Sequence, residues 1–85
     1  MNKDELLQAL RKEGVRDDAF DLDGGHLSET YTLSESSDRW FVYYSERGLE
    51  SGKKDFDTQS ATCEYFFNLL KNDPTTRKGH AKANE

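Results

Sequence analysis

The stretch Arg39-Trp40-Phe41-Val42-Tyr43-Tyr44-Ser45, residues 39–45, decides the fold. Its aromatic and β-branched side chains give it the strongest strand propensity in the chain. Side chains alternate across a strand, so Trp40, Val42 and Tyr44 share one face while Phe41 and Tyr43 share the other. The same period of two recurs on both sides. Upstream, Tyr31 and Leu33 alternate with Thr30, Thr32 and Ser34, and Phe20 and Leu22 alternate with Asp21 and Asp23. Gly24-Gly25 and Ser36-Ser37-Asp38 punctuate these runs as turns. Downstream, Gly48 and Gly52 bracket a loop before a short last strand from Lys53 to Phe56. Residues 19–57 therefore read as four strands.

The flanks change to helical spacing. Residues 2–13 read as a helix with Asn2 as cap, Glu5 completing a capping box, and Leu6, Leu7 and Leu10 in one apolar stripe. Asp4 and Glu5 suit the positive end of its dipole, and Gly14 is a natural stop. Residues 58–73 read as a second helix capped by Asp57 or Thr58. Its Cys63, Phe66, Phe67 and Leu70 fall at i, i+3, i+4 and i+7, Tyr65 and Leu69 widen the face, and Pro74 ends it.

The order α-β-β-β-β-α predicts an α+β domain over residues 1–74, a four-stranded antiparallel sheet with two helices packed on one face. Residues 75–85 read as a flexible C-terminal tail. Phe20, Leu22, Tyr31, Leu33, Trp40, Val42, Tyr44 and Phe56 are expected to point to the helices. Asp21, Asp23, Thr30, Thr32, Ser34, Phe41, Tyr43, Ser45, Lys53 and Asp55 then point away. That outer face reads either as a partner interface or as an ordinary solvated sheet surface with Phe41 and Tyr43 packed across strands.

Composition narrows the function. The 85 residues carry 12 Lys+Arg against 17 Asp+Glu, a net charge of −5, and 33% are hydrophobic. With no Ile and ten aromatics, the core leans on rings that each bury about 150–250 Å². The expected stability is modest, on the order of 5 kcal/mol. No apolar stretch is long enough to span a bilayer, and charged residues rather than an apolar run follow Met1. The single cysteine, Cys63, fits a reducing cytoplasm. The acidic balance disfavours nucleic acid as a partner, and nothing marks a membrane surface.

Motifs of catalysis and metal binding are absent. An EF-hand frame with Gly24 at its sixth position puts Ala19 at the first and Thr30 at the twelfth, so two key ligands are missing. His26, in a glycine turn, and His80, in the tail, lack partners at zinc spacing. Cys63 on an apolar helical face reads as a small buried hydrophobe. No phosphate loop or dinucleotide fingerprint is present. The expectation is a protein without cofactor or enzymatic activity. Its charge is uneven: residues 1–57 hold 14 acids and 8 bases, while residues 58–85 hold 3 acids and 4 bases. A focused acidic surface speeds capture of a basic partner.

The run Trp40-Phe41-Val42-Tyr43-Tyr44-Ser45-Glu46-Arg47-Gly48, followed by Gly52, Phe56, Ala61 and Cys63-Glu64-Tyr65-Phe66, resembles a pattern in small bacterial toxin–immunity proteins. The resemblance covers about residues 4–74. It implies an immunity protein of a polymorphic or contact-dependent growth-inhibition system. Such a protein binds its cognate toxin domain in the cytoplasm and covers the toxin's active site. Many such toxins are nucleases with basic clefts, against which carboxylates stand where phosphates would lie. The resemblance then places toxin contacts on the less patterned acids Asp17, Asp18, Asp21, Asp23, Glu29, Glu35 and Asp38, with Phe41 and Tyr43 from the outer face. Glu46 and Arg47 are either toxin contacts or a structural ion pair, and Gly48 shapes the turn. The alternative is a non-catalytic binding module or small regulatory subunit of another complex.

Overall fold

The computed structural model describes residues 1–25 and 29–79. His26, His80 and the remainder of the expected tail lie outside the described residues. Helix α1 (Lys3–Glu13) starts at the expected box: the Asn2 side chain accepts from the Glu5 amide at 2.8 Å, and Glu5 accepts from the Asn2 amide at 2.9 Å. Helix α2 (Gln59–Lys71) is capped by Thr58, whose hydroxyl accepts from the Ala61 amide at 3.2 Å. Between them lie β1 (Phe20–Asp21), β2 (Thr30–Ser36), β3 (Arg39–Glu46) and β4 (Leu49–Phe56), hydrogen-bonded in that order.

The fold class is the expected α+β arrangement, with one change in the sheet. β2, β3 and β4 are antiparallel, but β1 runs parallel to β2, with Phe20 opposite Tyr31 and Asp21 opposite Thr32. The cause is local. The Asp21 carboxylate accepts the Asp23 amide at 2.9 Å and the Gly25 amide at 2.5 Å. Those bonds fold the chain around the aspartate, an Asx-type turn that competes with a hairpin. The β2–β3 and β3–β4 links are two-residue turns, Ser37-Asp38 and Arg47-Gly48, with all four residues at positive φ. Such turns match strand twist and fix the register. Of the expected loop bracketed by Gly48 and Gly52, residues 49–52 are instead strand. Gly52, at φ +63, lies where the register shifts between Val42 and Tyr44, a bulge in β4.

One core joins both helices to the inner sheet face. Leu6, Leu10, Cys63, Phe66 and Leu70 pack with Phe20, Leu33, Trp40 and Val42, all buried. Leu22, Tyr31 and Phe56 join it partly buried, as expected of inner-face residues. α2 lies on β2, β3 and β4, and α1 packs on α2.

The outer face departs from its expected exposure. Tyr43 is only 3% exposed, and Thr30, Thr32 and Ser45 are buried beside it. Gly24, just after β1, lies against this side: a side chain built there would stand 3.0 Å from the Ser34 hydroxyl. From the β4 side, the Lys53 ammonium sits 4.8 Å from the Phe41 ring centroid and 5.7 Å from that of Tyr43, and is paired to Glu50 at 3.0 Å. Asp21 is half-buried and committed to backbone amides, so it does not offer the free outward carboxylate that alternation predicted.

The chain beyond Pro74 is also more structured than a tail as far as Gly79. Pro74–Thr76 forms a 3-10 turn, and the buried Thr76 hydroxyl donates to the Leu70 or Asp73 carbonyl, 2.8 Å from each. The Arg16 amide donates to the Thr76 carbonyl at 2.7 Å, and the Lys78 amide to the Gly14 carbonyl at 2.8 Å. The Arg77 guanidinium donates to the Glu13 and Lys71 carbonyls. Apolar content gave no hint of this segment because hydrogen bonds hold it. No helix among the described residues is long and apolar enough to cross a membrane.

Two stability predictions follow from this packing. Trp40→Ala removes a ring only 8% exposed and should cost about 3–5 kcal/mol in urea unfolding. Ending the chain at Asp73 leaves the Arg16 amide and Gly14 carbonyl without these partners. That truncation should cost about 2–4 kcal/mol by the same measurement.

Candidate functional site

Topology gathers one end of the sheet. β1 and β2 start there, β3 ends there and β4 starts there. Asp17 and Asp18 precede β1, Glu29 precedes β2, and Glu46-Arg47-Gly48 join β3 to β4 at this end. The C-terminus of α2 arrives at the same place, because the Tyr31 hydroxyl donates to Asp73 at 2.6 Å. Glu35, near the end of β2, and Asp38, on the β2–β3 turn, lie at the opposite end.

Two adjoining hollows open where α2 leaves the sheet. One, about 480 Å³, is lined by Tyr31, Tyr65, Asn68, Leu69, Asn72 and Asp73. The other, about 340 Å³, shares Tyr31, Tyr65 and Leu69 and continues over Tyr44, Ser51, Gly52 and Lys54. The sequence makes this space. Tyr44 faces Ser51 across the strand pair, and Gly52 adds no side chain, so β4 is shallow where α2 ends. The Tyr31 and Tyr44 rings stand edge to face, centroids 5.1 Å apart.

The electrostatics of this groove are negative. Burial, then the hydrogen bond to Asp73 and its charge, hold the Tyr31 phenol far above its ordinary value. Burial also raises the Tyr44 phenol, with further contributions from Glu29, Glu46 and Asp73. Three carboxylates therefore act on one pair of phenol rings. On the other wall Lys54 supplies a positive charge. Among the described residues no three His, Cys, Asp or Glu side chains converge to hold a metal ion. Open aromatic surface beside a carboxylate is suited to binding a cationic side chain.

The candidate residues read from sequence separate into groups. Asp17 pairs with Arg11 at 3.2 Å, Asp18 with Arg16 at 2.7 Å and Asp23 with Lys3 at 3.4 Å. Exposed pairs of this kind stabilise little and leave the acids accessible. Asp21 belongs to its turn and Tyr43 to the covered outer face, while Phe41 is half-buried beneath Lys53. Arg47 occupies the first turn position at φ +51, and Glu46 is exposed beside it. Of the candidates, Glu29 and Glu46 both add to the negative field at Tyr44, and Asp17 and Asp18 share their end of the sheet. Sequence reading missed Tyr31, Tyr44, Tyr65, Leu69 and Asp73 as groove residues. The available signal was that the inner stripe ends in Tyr31 and Tyr44, rings that combine an apolar body with a polar tip suited to a wet edge.

Comparison with protein-family models, curated proteins and solved structures gives no match to this chain.

The Tyr31, Tyr43 and Tyr44 phenols are all raised, each first by burial. A raised phenol favours the folded state while protonated, so this contribution is complete below the ordinary tyrosine value near 10 and is lost as pH rises beyond it. The phenolate absorbance of the folded protein should therefore develop at higher pH than that of the urea-unfolded chain. Coincident titration curves would contradict the burial of these rings.

Proposed function

We propose that the protein is a non-enzymatic immunity protein that neutralises a bacterial toxin domain, with a basic nuclease cleft as the target surface. The observation that supports this reading is an open groove lined by Tyr31, Tyr44, Tyr65 and Asp73, with Glu29, Glu46 and Asp73 all adding to the negative field at Tyr44. This groove lies at the end of the sheet that also bears Asp17 and Asp18. Aromatic anchors within a charged rim are the usual composition of an energetic hot spot. The surrounding carboxylates attract a basic partner over a distance and repel acidic ones. The aromatic strand with its Glu46-Arg47-Gly48 turn, which carries the resemblance to immunity proteins, borders the same groove. The docking surface in this proposal is thus the end of the sheet, not its outer face.

This reading predicts a toxin domain encoded beside this protein's gene, and the test is its capture. A one-to-one complex should form, toxin activity should be lost, and association should slow by about tenfold or more as salt is raised. Glu29→Lys with Glu46→Lys should slow capture, whereas Glu35→Lys at the opposite end should not. Absence of both complex and protection would reject the immunity role.

A further inference from the structure

We propose that the hollow between β4 and α2 is a binding site for a carboxylate that carries an aromatic or branched apolar group. The proposal goes beyond the immunity reading and does not rest on it. The space of about 340 Å³ has the size of a small-ligand site. Tyr31, Tyr44, Tyr65 and Leu69 make it largely apolar, and the other wall is β4, which offers Ser51, Gly52 and Lys54. Gly52 leaves room there because it adds no side chain.

The polar groups decide which ligand fits. Lys54 stands opposite Val42 across the strand pair, and Val42 is buried in the core, so Lys54 leaves β4 on the inner face. Alternation calls for an apolar residue there, as Phe56 is at the next inner position. Lys54 makes no ion pair among the described residues, whereas its neighbour Lys53, on the outer face, is paired with Glu50 at 3.0 Å. The hydroxyls of Ser51, Tyr44 and Tyr65 make no hydrogen bond among the described residues, while that of Tyr31 is committed to Asp73. All four open groups can donate, and no carboxylate lines this hollow. Asp73 lines only the adjoining one. The Tyr44 phenol, raised first by burial, stays protonated and remains a donor. One ammonium and three hydroxyls over apolar walls match an anionic acceptor on an apolar body. An amine would meet Lys54 as a like charge, and an inorganic anion would leave the rings and Leu69 without a partner.

The full chain can be titrated with phenylpropionate at neutral pH while the Tyr44 and Tyr65 rings and the Leu69 methyls are followed by NMR. Saturable shifts at all three are expected. Phenylpropionamide, similar in shape but neutral, should bind at least about fivefold more weakly. Acetate, which has the charge without the apolar body, should give no saturable shift. Lys54→Gln should weaken phenylpropionate about fivefold or more. Lys53→Gln removes the same charge from the opposite face of the same strand and should leave binding within about twofold. Both lysines are exposed, so neither change opens the core. Silent rings, amide binding as tight as that of the acid, or an unaffected Lys54→Gln variant would overturn the assignment. Acetyl-Gly-Phe, whose carboxylate ends a peptide, separates the two sources of this chemistry. Tighter binding than phenylpropionate assigns the site to a protein C-terminus, and weaker binding assigns it to a free organic acid. No toxin takes part, so this result and toxin protection stand or fall separately.

Discussion

The Asp21 carboxylate takes two backbone amides, those of Asp23 and Gly25, and so turns the chain out of the plane of the sheet. Much else depends on that pair of hydrogen bonds. A hairpin at Gly24-Gly25 would lay the first strand antiparallel to its neighbour and leave the outer face to water. Bent around Asp21, the chain instead brings Gly24 against Ser34 on the outer face, and β2 runs in the same direction as β1. Thr30, Thr32, Tyr43 and Ser45 are buried on that face. The open surface of the sheet then lies chiefly at its ends, and one end carries the groove.

This arrangement explains how so polar a chain reaches a defined fold. The inner face is served by a compact set of leucines and rings from both helices. The outer face uses a different chemistry, with buried threonines and Tyr43 and the Lys53 ammonium laid over Phe41. The C-terminal end of the described chain depends on hydrogen bonds among Arg16, Thr76, Arg77 and Lys78 rather than on apolar contact. Burial of polar groups is tolerable where they are bonded, so such segments fold without raising the hydrophobic content of the sequence.

Legibility in the sequence tracks the range of the interactions. Both helices were legible with their caps, since Asn2, Glu5 and Thr58 act within three residues of their partners. The inner face was legible because alternation is a property of the strand itself, and Phe20, Leu33, Trp40 and Val42 all reach the core. The direction of β1 was not, because a side-chain acceptor outweighed a glycine pair that favours a hairpin. The groove was only half legible. Glu29 and Glu46 stood out as acids, but the field they share with Asp73 at Tyr44 joins positions far apart in the chain. The motif strand illustrates both sides. Tyr43 and Ser45 are buried, whereas Tyr44 lines the groove and Glu46 is exposed beside the turn, so one run of residues serves the packed sheet and its open end by turns.

The bulge at Gly52 bears on how the protein behaves when crowded. β4 forms one margin of the sheet, and an unpaired margin invites another chain to extend it. A strand docking there from Leu49 would lose its ladder of amides after a few residues, where the bulge throws the backbone out of step. Beyond that break it would meet two adjacent ammonium groups, those of Lys53 and Lys54. Runaway stacking into fibres is thereby interrupted at its first step, even though Leu49 is 70% exposed at the start of that margin.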